Sequence, residues 1–331
     1  MKAFYLQFKG SRETHLRSDT LWGMVISALS WIHQKKEINN IVQSFISGDN
    51  PFRISSAFPF MSHIDGLVHF LPTPVLPPEK PSEGKVTAEF IKRHKKFKKK
   101  AWLSEEALKP LLENSSTIKD WVDASLDDST AYNHKVELSL HNSINRLTNS
   151  TTNPEGEGQL YYTQDIYSEP GSGLYFLADG NRVDLIIEAL NWYKLQGLGA
   201  NASTGKGNFD WEVKEAPTMF SHNQKGNCQM LLSAFNPSGG EIDALFSEND
   251  GMLPCYDLEI RAGKMKMNSS VIDGKPLNYR KKGIAVIKES ALLPSSGEKP
   301  WSGSLVKTAS KPNHDVYHYG RAFTLKMNIK L

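Results

Sequence analysis

GLGANASTGKGNF, residues 197–209, is a run of glycines and small polar residues with one cation, Lys206. Before it, in NRVDLIIEALNWYKL, Val183, Ile186, Ile187 and Leu190 recur at helical spacing, so the loop is entered from an amphipathic helix. After it, Phe209, Trp211 and Val213 alternate, so the loop is left along a strand. That order excludes two nucleotide-binding readings. Gly197, Gly199 and Ala202 fit G-x-G-x-x-G/A, but a dinucleotide fingerprint follows a strand and opens a helix. A Walker A loop needs Gly at Ala200 and Ser or Thr at Gly207. What survives is a side-chain-poor loop whose backbone N–H groups can approach phosphates closely, with Lys206 adding charge. The plain alternative is a long helix-to-strand turn, where glycine is an ordinary residue.

Working outward, 331 residues give room for two domains of ordinary size. Hydrophobic residues make up 39%, and no apolar run approaches the roughly 20 residues that span a bilayer, so a cytoplasmic protein without membrane contact is expected. The start, MKAFYLQFKG, alternates Phe4, Leu6 and Phe8 as a strand does, unlike a signal peptide. Cys228 and Cys255 are the only cysteines and form no C-x-x-C, which argues against a disulfide framework or a zinc site. No metal or cofactor is expected.

Ser18 and Asp19 stand where a helix N-cap and first turn belong, and Leu21, Trp22, Met24, Val25, Ile26, Ala28, Leu29, Trp31 and Ile32 then leave almost no polar face. This helix is expected to be buried all round, with Gly23 packed close to a neighbouring backbone. Prolines at 72, 74, 77, 78 and 81 mark an extended connector. Seven cations, Lys92, Arg93, Lys95, Lys96, Lys98, Lys99 and Lys100, follow within nine residues; with a net charge of +3, the rest of the chain is slightly acidic. With Phe97 and Trp102 interleaved, this run reads as a phosphate-contacting arm with stacking residues, or else as a solvated helix face. Residues 107–130 read as an irregular insertion. Val136, Leu138 and Leu140 alternate, a second strand begins at Gln159 after a long loop, and GLYFLAD makes a third. Through Val213 the order reads β-α, insertions, β-β, α, β. The fold class is α+β: two tandem ferredoxin-like (RRM-like) βαββαβ modules with insertions, residues 1–216, with a basic insertion over about 80–130, and residues 217–331.

Two such halves with a glycine-rich loop after the last helix of the first resemble the RAMP superfamily of CRISPR proteins. HLRSDTLWGMV, residues 15–25, is similar to the H-L-x-S-D-T-L-F/W-G-A signature of the subunit that caps the crRNA 5′ end in type III-A effector complexes, the fourth Csm subunit. KRHKKFKKKAWL looks like that family's lysine-rich segment after FLPxP, here Phe70 to Pro74; His141, Asn142, Ile144, Arg146 and Thr148 match H-N-x-I-x-R-x-T; residues 197–209 resemble its glycine loop. KKGIAVIKESALL and VYHYGRAFTL resemble its C-terminal strands. Ala200 departs from the pattern, standing where the family often has glycine.

The resemblance implies a non-catalytic RNA-binding subunit in antiviral defence. It would grip the repeat-derived 5′ handle of crRNA and join the large polymerase/cyclase-like subunit to a RAMP backbone subunit, meeting target RNA only indirectly. Carried over residue by residue, the RNA contacts would be Ser18, Lys92, Lys95, Lys96, Lys98, Lys99, Asn142, Arg146, Gly197, Gly199, Asn201, Ser203, Thr204, Gly205, Lys206 and Gly207. The alternative is a RAMP-type, metal-independent endoribonuclease that processes pre-crRNA, with His15 as general acid or base. A tandem single-stranded RNA reader would instead need exposed aromatics such as Tyr161, Tyr162 and Tyr175.

Overall fold

A computed structural model describes residues 1–12, 15–77, 86–113, 117–144, 148–151, 158, 160–199, 201–221, 226–246, 253–263, 271–272, 275–276, 280–295, 300–311 and 314–329. The N-terminal part runs β1 (Lys2–Phe8), α1 (Ser18–Ile32), α2 (Lys35–Ser47), β2 (Arg53–Ile54), β3 (Phe58–His63), β4 (Gly66–Pro72), α3 (Ala88–Lys99), β5 (Trp102–Ser104) and α4 (Glu105–Leu112). It continues through α5 (Ile118–Asp127), β6 (His134–Asn142), β7 (Leu160–Ser168), β8 (Ser172–Asp179), α6 (Asp184–Gln196) and β9 (Phe209–Glu215).

The main sheet has the order β5-β4-β3-β8-β1-β9, with β2 also on β8, and all its pairings are antiparallel. Within it β1, α1, β3, β8, α6 and β9 trace a β-α-β-β-α-β path. Because successive side chains point to opposite faces of a strand, β1 and β8 feed two cores. Phe4, Leu6, Phe176 and Ala178 pack under α1, α2 and α6 through Trp22, Leu29, Phe45, Ile186 and Leu190. Ala3, Tyr5, Tyr175 and Leu177 face the opposite way, under the insertion helices through Phe97, Leu108 and Trp121.

The same second core takes in Met230, Leu292, Phe323 and Met327 from the C-terminal part. That part contains α7 (Thr218–Ser221), β10 (Cys228–Leu231), α8 (Gly239–Phe246), β11 (Leu258–Arg261), β12 (Val271–Ile272), β13 (Lys275–Pro276), β14 (Ile284–Ile287), β15 (Leu292–Pro294), β16 (Gly303–Lys311), β17 (His314–Arg321) and β18 (Thr324–Met327). Its described strands form a three-stranded sheet, β15-β10-β18, and the pairs β11-β14, β12-β13 and β16-β17. Tyr319 of β17 crosses into the first core and stacks on Trp22 at 5.7 Å. Residues on both sides of position 216 therefore share their hydrophobic interior.

Several elements differ from the expectation. Helix α1 begins at Ser18 with Arg17 at the cap position, whose side chain makes no bond to the helix's first N–H groups, and it is not buried all round, since Trp31 and Ile32 are exposed. Gly23 has open space where a Cβ would stand, so no neighbour requires glycine there. Helix α2 is an addition to the expected order, with Ile38, Ile41 and Phe45 on one buried face. The strands between the two helices of the path are β3 and β8; β6 and β7 instead pair with each other as a separate hairpin. Residues 107–130 are largely helical, because Ser104 and Thr117 cap α4 and α5 by accepting from the N–H groups of Ala107 and Asp120. No described helix is long and apolar enough to cross a membrane.

Candidate nucleic-acid interface

The glycine loop owes its shape to four left-handed backbones, Gly197 (φ 80°), Gly199 (φ 107°), Gly205 (φ 88°) and Gly207 (φ 69°), a conformation that costs other residues about 1–2 kcal/mol each. Leu198 is buried beneath it and anchors it in the first core. A Cβ on Gly207 would lie 1.8 Å from the Leu198 carbonyl oxygen, so glycine is required there by the loop's own packing; a Cβ on Gly205 would meet open space. Much of the backbone is already bonded. The Leu198 N–H donates to the Gly207 carbonyl at 2.8 Å, the Gly205 N–H to Ala202 at 3.0 Å and the Gly207 N–H to Ser11 at 2.8 Å. The expected cradle of open N–H groups is thus narrower than the glycine count suggests.

Lys206 is placed differently from a free phosphate contact. Its ammonium donates to Asp165 Oδ1 at 2.7 Å and Thr163 Oγ1 at 3.2 Å, tying the loop to β7. Burial alone would raise the Asp165 pKa, but the bonds from Lys206 and Ser139 outweigh it and hold the carboxyl below its ordinary value. Asp165, Thr163 and Tyr161 share the hairpin face that meets the loop, with His141 stacked on Tyr161 at 5.3 Å. Leu138, Leu140, Leu160 and Tyr162 lie on the other face and are exposed.

The group that sequence reading missed is Arg12. It pairs by backbone with Ile166 of β7, beside Asp165, and follows Ser11, which holds Gly207. Arg12 is only 5% exposed, its guanidinium sits 5.5 Å over the Phe8 ring, and its Nε has no hydrogen-bond partner among the described residues. Burial lowers its pKa, and among the described residues Tyr132 is the neighbour that favours the charge. Partial desolvation and then Arg12 itself lower the pKa of His15 and of His134, a sign of positive potential around them. Desolvating a guanidinium is unfavourable, and an arriving anion offsets part of that cost. Nothing in the spacing of GSRETHLRSD separated Arg12 from Arg17, which pairs with Glu289 and Glu259.

The remaining expected residues are scattered. Ser18 is fully buried: its N–H donates to Ser56 Oγ at 2.9 Å and its hydroxyl accepts from the Ala234 N–H at 3.0 Å, so it joins the two parts of the chain and offers no surface to RNA. Asn142 is exposed at the end of β6; Arg146 and Ala200 lie outside the described residues. Thr204 is exposed, with its hydroxyl donating to the Asn201 carbonyl at 2.8 Å, and Ser203 lies in the same short turn. Lys92, Lys95, Lys96, Lys98 and Lys99 are exposed on α3, far from the loop: they sit beside β5 on the face opposite α6, whereas the loop opens β9 at the other sheet edge. Phe97 and Trp102 are no stacking platform, since Phe97 is buried against Trp121 at 5.6 Å and Trp102 packs on Phe58 at 6.4 Å. Tyr175 is a core residue bonded to the Phe70 carbonyl. Among the described residues, no group of three or more His, Cys, Asp or Glu is arranged to hold a metal.

No family model matches the chain. In sequence it is similar to a protein of Thermococcus onnurineus (strain NA1) described as "CRISPR system Cms protein Csm4", 27% identical over 206 residues, covering 60% of this chain and 63% of that one. In fold it matches a chain of a Csm3–Csm4 subcomplex of the type III-A CRISPR-Cas interference complex (TM-score 0.64, 17% identity, 98% of this chain and 99% of that one). It likewise matches a chain of a Csm1–Csm4 cassette in complex with pppApA (TM-score 0.59, 19% identity, 99% and 98%). The chain is thus similar over part of its length to a protein that bears the Csm4 name, and it shares its fold along nearly its whole length with chains of these type III-A assemblies.

Proposed function

We propose that this chain is a non-catalytic RNA-binding subunit of a type III-A CRISPR (Csm) interference complex, built on two ferredoxin-like modules, that grips the repeat-derived 5′ handle of crRNA at the glycine loop. The observation that carries this reading is the pairing of that loop with Arg12, a buried cation with no acid partner among the described residues. The loop supplies a surface bare of side chains at Gly199 and Gly205. Among the described residues the buried acid at its base, Asp165, is neutralised by Lys206, so it does not oppose a phosphate that approaches the guanidinium. Asn142 and the Thr204 hydroxyl add polar groups that suit ribose or base edges. Csm1–Csm4 and Csm3–Csm4 assemblies among the fold relatives support the further reading that this subunit joins the large cyclase-bearing subunit to a backbone subunit.

The rival reading, an endoribonuclease using His15, finds less support. Partial desolvation, Arg12, His134 and Arg17 lower the His15 pKa, and among the described residues its ring has no hydrogen-bond partner to orient it. The scaffold reading is tested by incubating the pure protein with repeat RNA, with and without divalent metal, and resolving the products. Intact RNA is expected; cleavage that disappears in His15→Ala would establish the enzyme instead.

A further inference from the structure

Helix α3 is amphipathic in an unusual sense. Lys92, Lys95, Lys96 and Lys99, at i, i+3, i+4 and i+7, form one exposed stripe, with Lys98 beside it. The opposite side is fully used inside the protein. Phe97 packs on Trp121, Phe90 on His94 at 4.1 Å, and Arg93 is held by Asp123 and the Lys119 carbonyl. The helix carries a single acid, Glu89, in its first turn, where the helix dipole favours it. Among the described residues Lys92, Lys95, Lys98 and Lys99 have no ion-pair partner, and Lys96 only donates to the Leu126 carbonyl at 3.4 Å.

The composition of this stripe selects its ligand. Protein interfaces are enriched in aromatics and arginine and depleted in lysine, whereas here the aromatics and the arginine turn inward and the exposed stripe is made of lysines, with Ile91 the one large apolar side chain of the helix that is exposed. A lysine ammonium is a hydrated point charge on a flexible stem, suited to phosphate oxygens and without the fork that reads base edges. The stripe extends about 10.5 Å along the helix at 1.5 Å per residue, room for a few consecutive phosphates. The glycine loop is five strand-to-strand steps away, about 24 Å at 4.8 Å per step, and on the other face of the sheet. The two places are separate.

We propose that α3 is a second nucleic-acid surface, one that holds phosphate backbone without reading sequence and is independent of whichever RNA the glycine loop takes. The test uses the full chain and a labelled oligouridylate, which lacks any handle sequence, with binding followed over a salt series. Changing Lys92, Lys95, Lys96 and Lys99 together to Gln is expected to weaken binding at least about tenfold at low salt and to flatten the slope of log K against log salt by roughly 0.7 per lost contact. The corresponding Arg variant keeps the charge and is expected to restore binding, which separates lost charge from lost fold. Arg12→Gln removes the other site and is expected to leave the α3-dependent part of the slope in place, so failure of the handle reading and failure of this one give different patterns. An unchanged slope in the Gln variant overturns the proposal. So does displacement of the oligouridylate by poly-glutamate as effective as by unlabelled RNA of equal charge, which would make the stripe a seat for an acidic protein.

Discussion

Gly205 and Gly207 share a left-handed backbone but not its surroundings, and this separates their roles. Gly205→Ala adds a methyl group to open space and is expected to lose only about 1–2 kcal/mol of stability, the cost of the backbone conformation. Gly207→Ala adds one against the Leu198 carbonyl and is expected to lose clearly more, because backbone must move. Urea denaturation of the two variants checks this; equal losses would contradict the assigned geometry. The glycines themselves were plain in the sequence, yet which of them the loop's packing demands was not, since that depends on Leu198 being drawn into the core. Arg12 was illegible for a related reason: its burial is produced by β7, which pairs with it from more than 150 residues away.

The loop is tied to the β6–β7 hairpin by an ion pair between Lys206, 17% exposed, and Asp165, 4% exposed. Lys206→Ala leaves a buried carboxylate without its partner and is expected to cost about 3 kcal/mol, while Lys206→Ala combined with Asp165→Asn is expected to recover most of it. A double-mutant cycle in urea measures this; a loss below the level of an exposed pair would show that the hairpin is docked by other contacts. Alternation marks β6, but periodicity does not encode partners: the strands expected in the main sheet pair with each other and, at one bridge, Ile166 with Arg12. The same limit explains the insertion helices: the polar, acidic composition of residues 107–130 reads as loop, whereas α4 and α5 form because Ser104 and Thr117 cap them and Leu108, Leu111 and Trp121 are buried in the second core.

Across the whole molecule, charged bonds join the start of α1 to the C-terminal strands: Asp19 with Arg261 at 2.8 Å, and Arg17 with Glu259 and Glu289. His318 of β17 lies 3.5 Å from Asp19, and burial, only partly countered by Asp19, brings its pKa from 6.5 to about 4. The unfolded chain therefore binds a proton that the folded chain refuses. This contribution to stability is complete above pH 6.5 and declines as the pH falls towards about 4. Urea midpoints at neutral and acidic pH are expected to show that decline, and His318→Gln to make it shallower; an identical pH slope in the variant would remove His318 from the account. The shared core gives a second expectation. Residues 1–216 alone would lose Met230, Leu292, Phe323 and Met327 from the second core and are expected to aggregate, so a soluble, cooperatively unfolding fragment would show a self-sufficient N-terminal module.

The central claim is that the glycine loop, with Arg12 beneath it, grips the crRNA handle. Complexes rebuilt with the wild-type chain, Arg12→Gln or Gly205→Val, each confirmed to be folded, are purified and their bound RNA is sequenced to define its 5′ ends. The account predicts that both variants lose most of the crRNA with a defined 5′ end, whereas the variant with Gln at Lys92, Lys95, Lys96 and Lys99 keeps that end. Normal recovery and a normal 5′ end in folded Gly205→Val and Arg12→Gln complexes would contradict it.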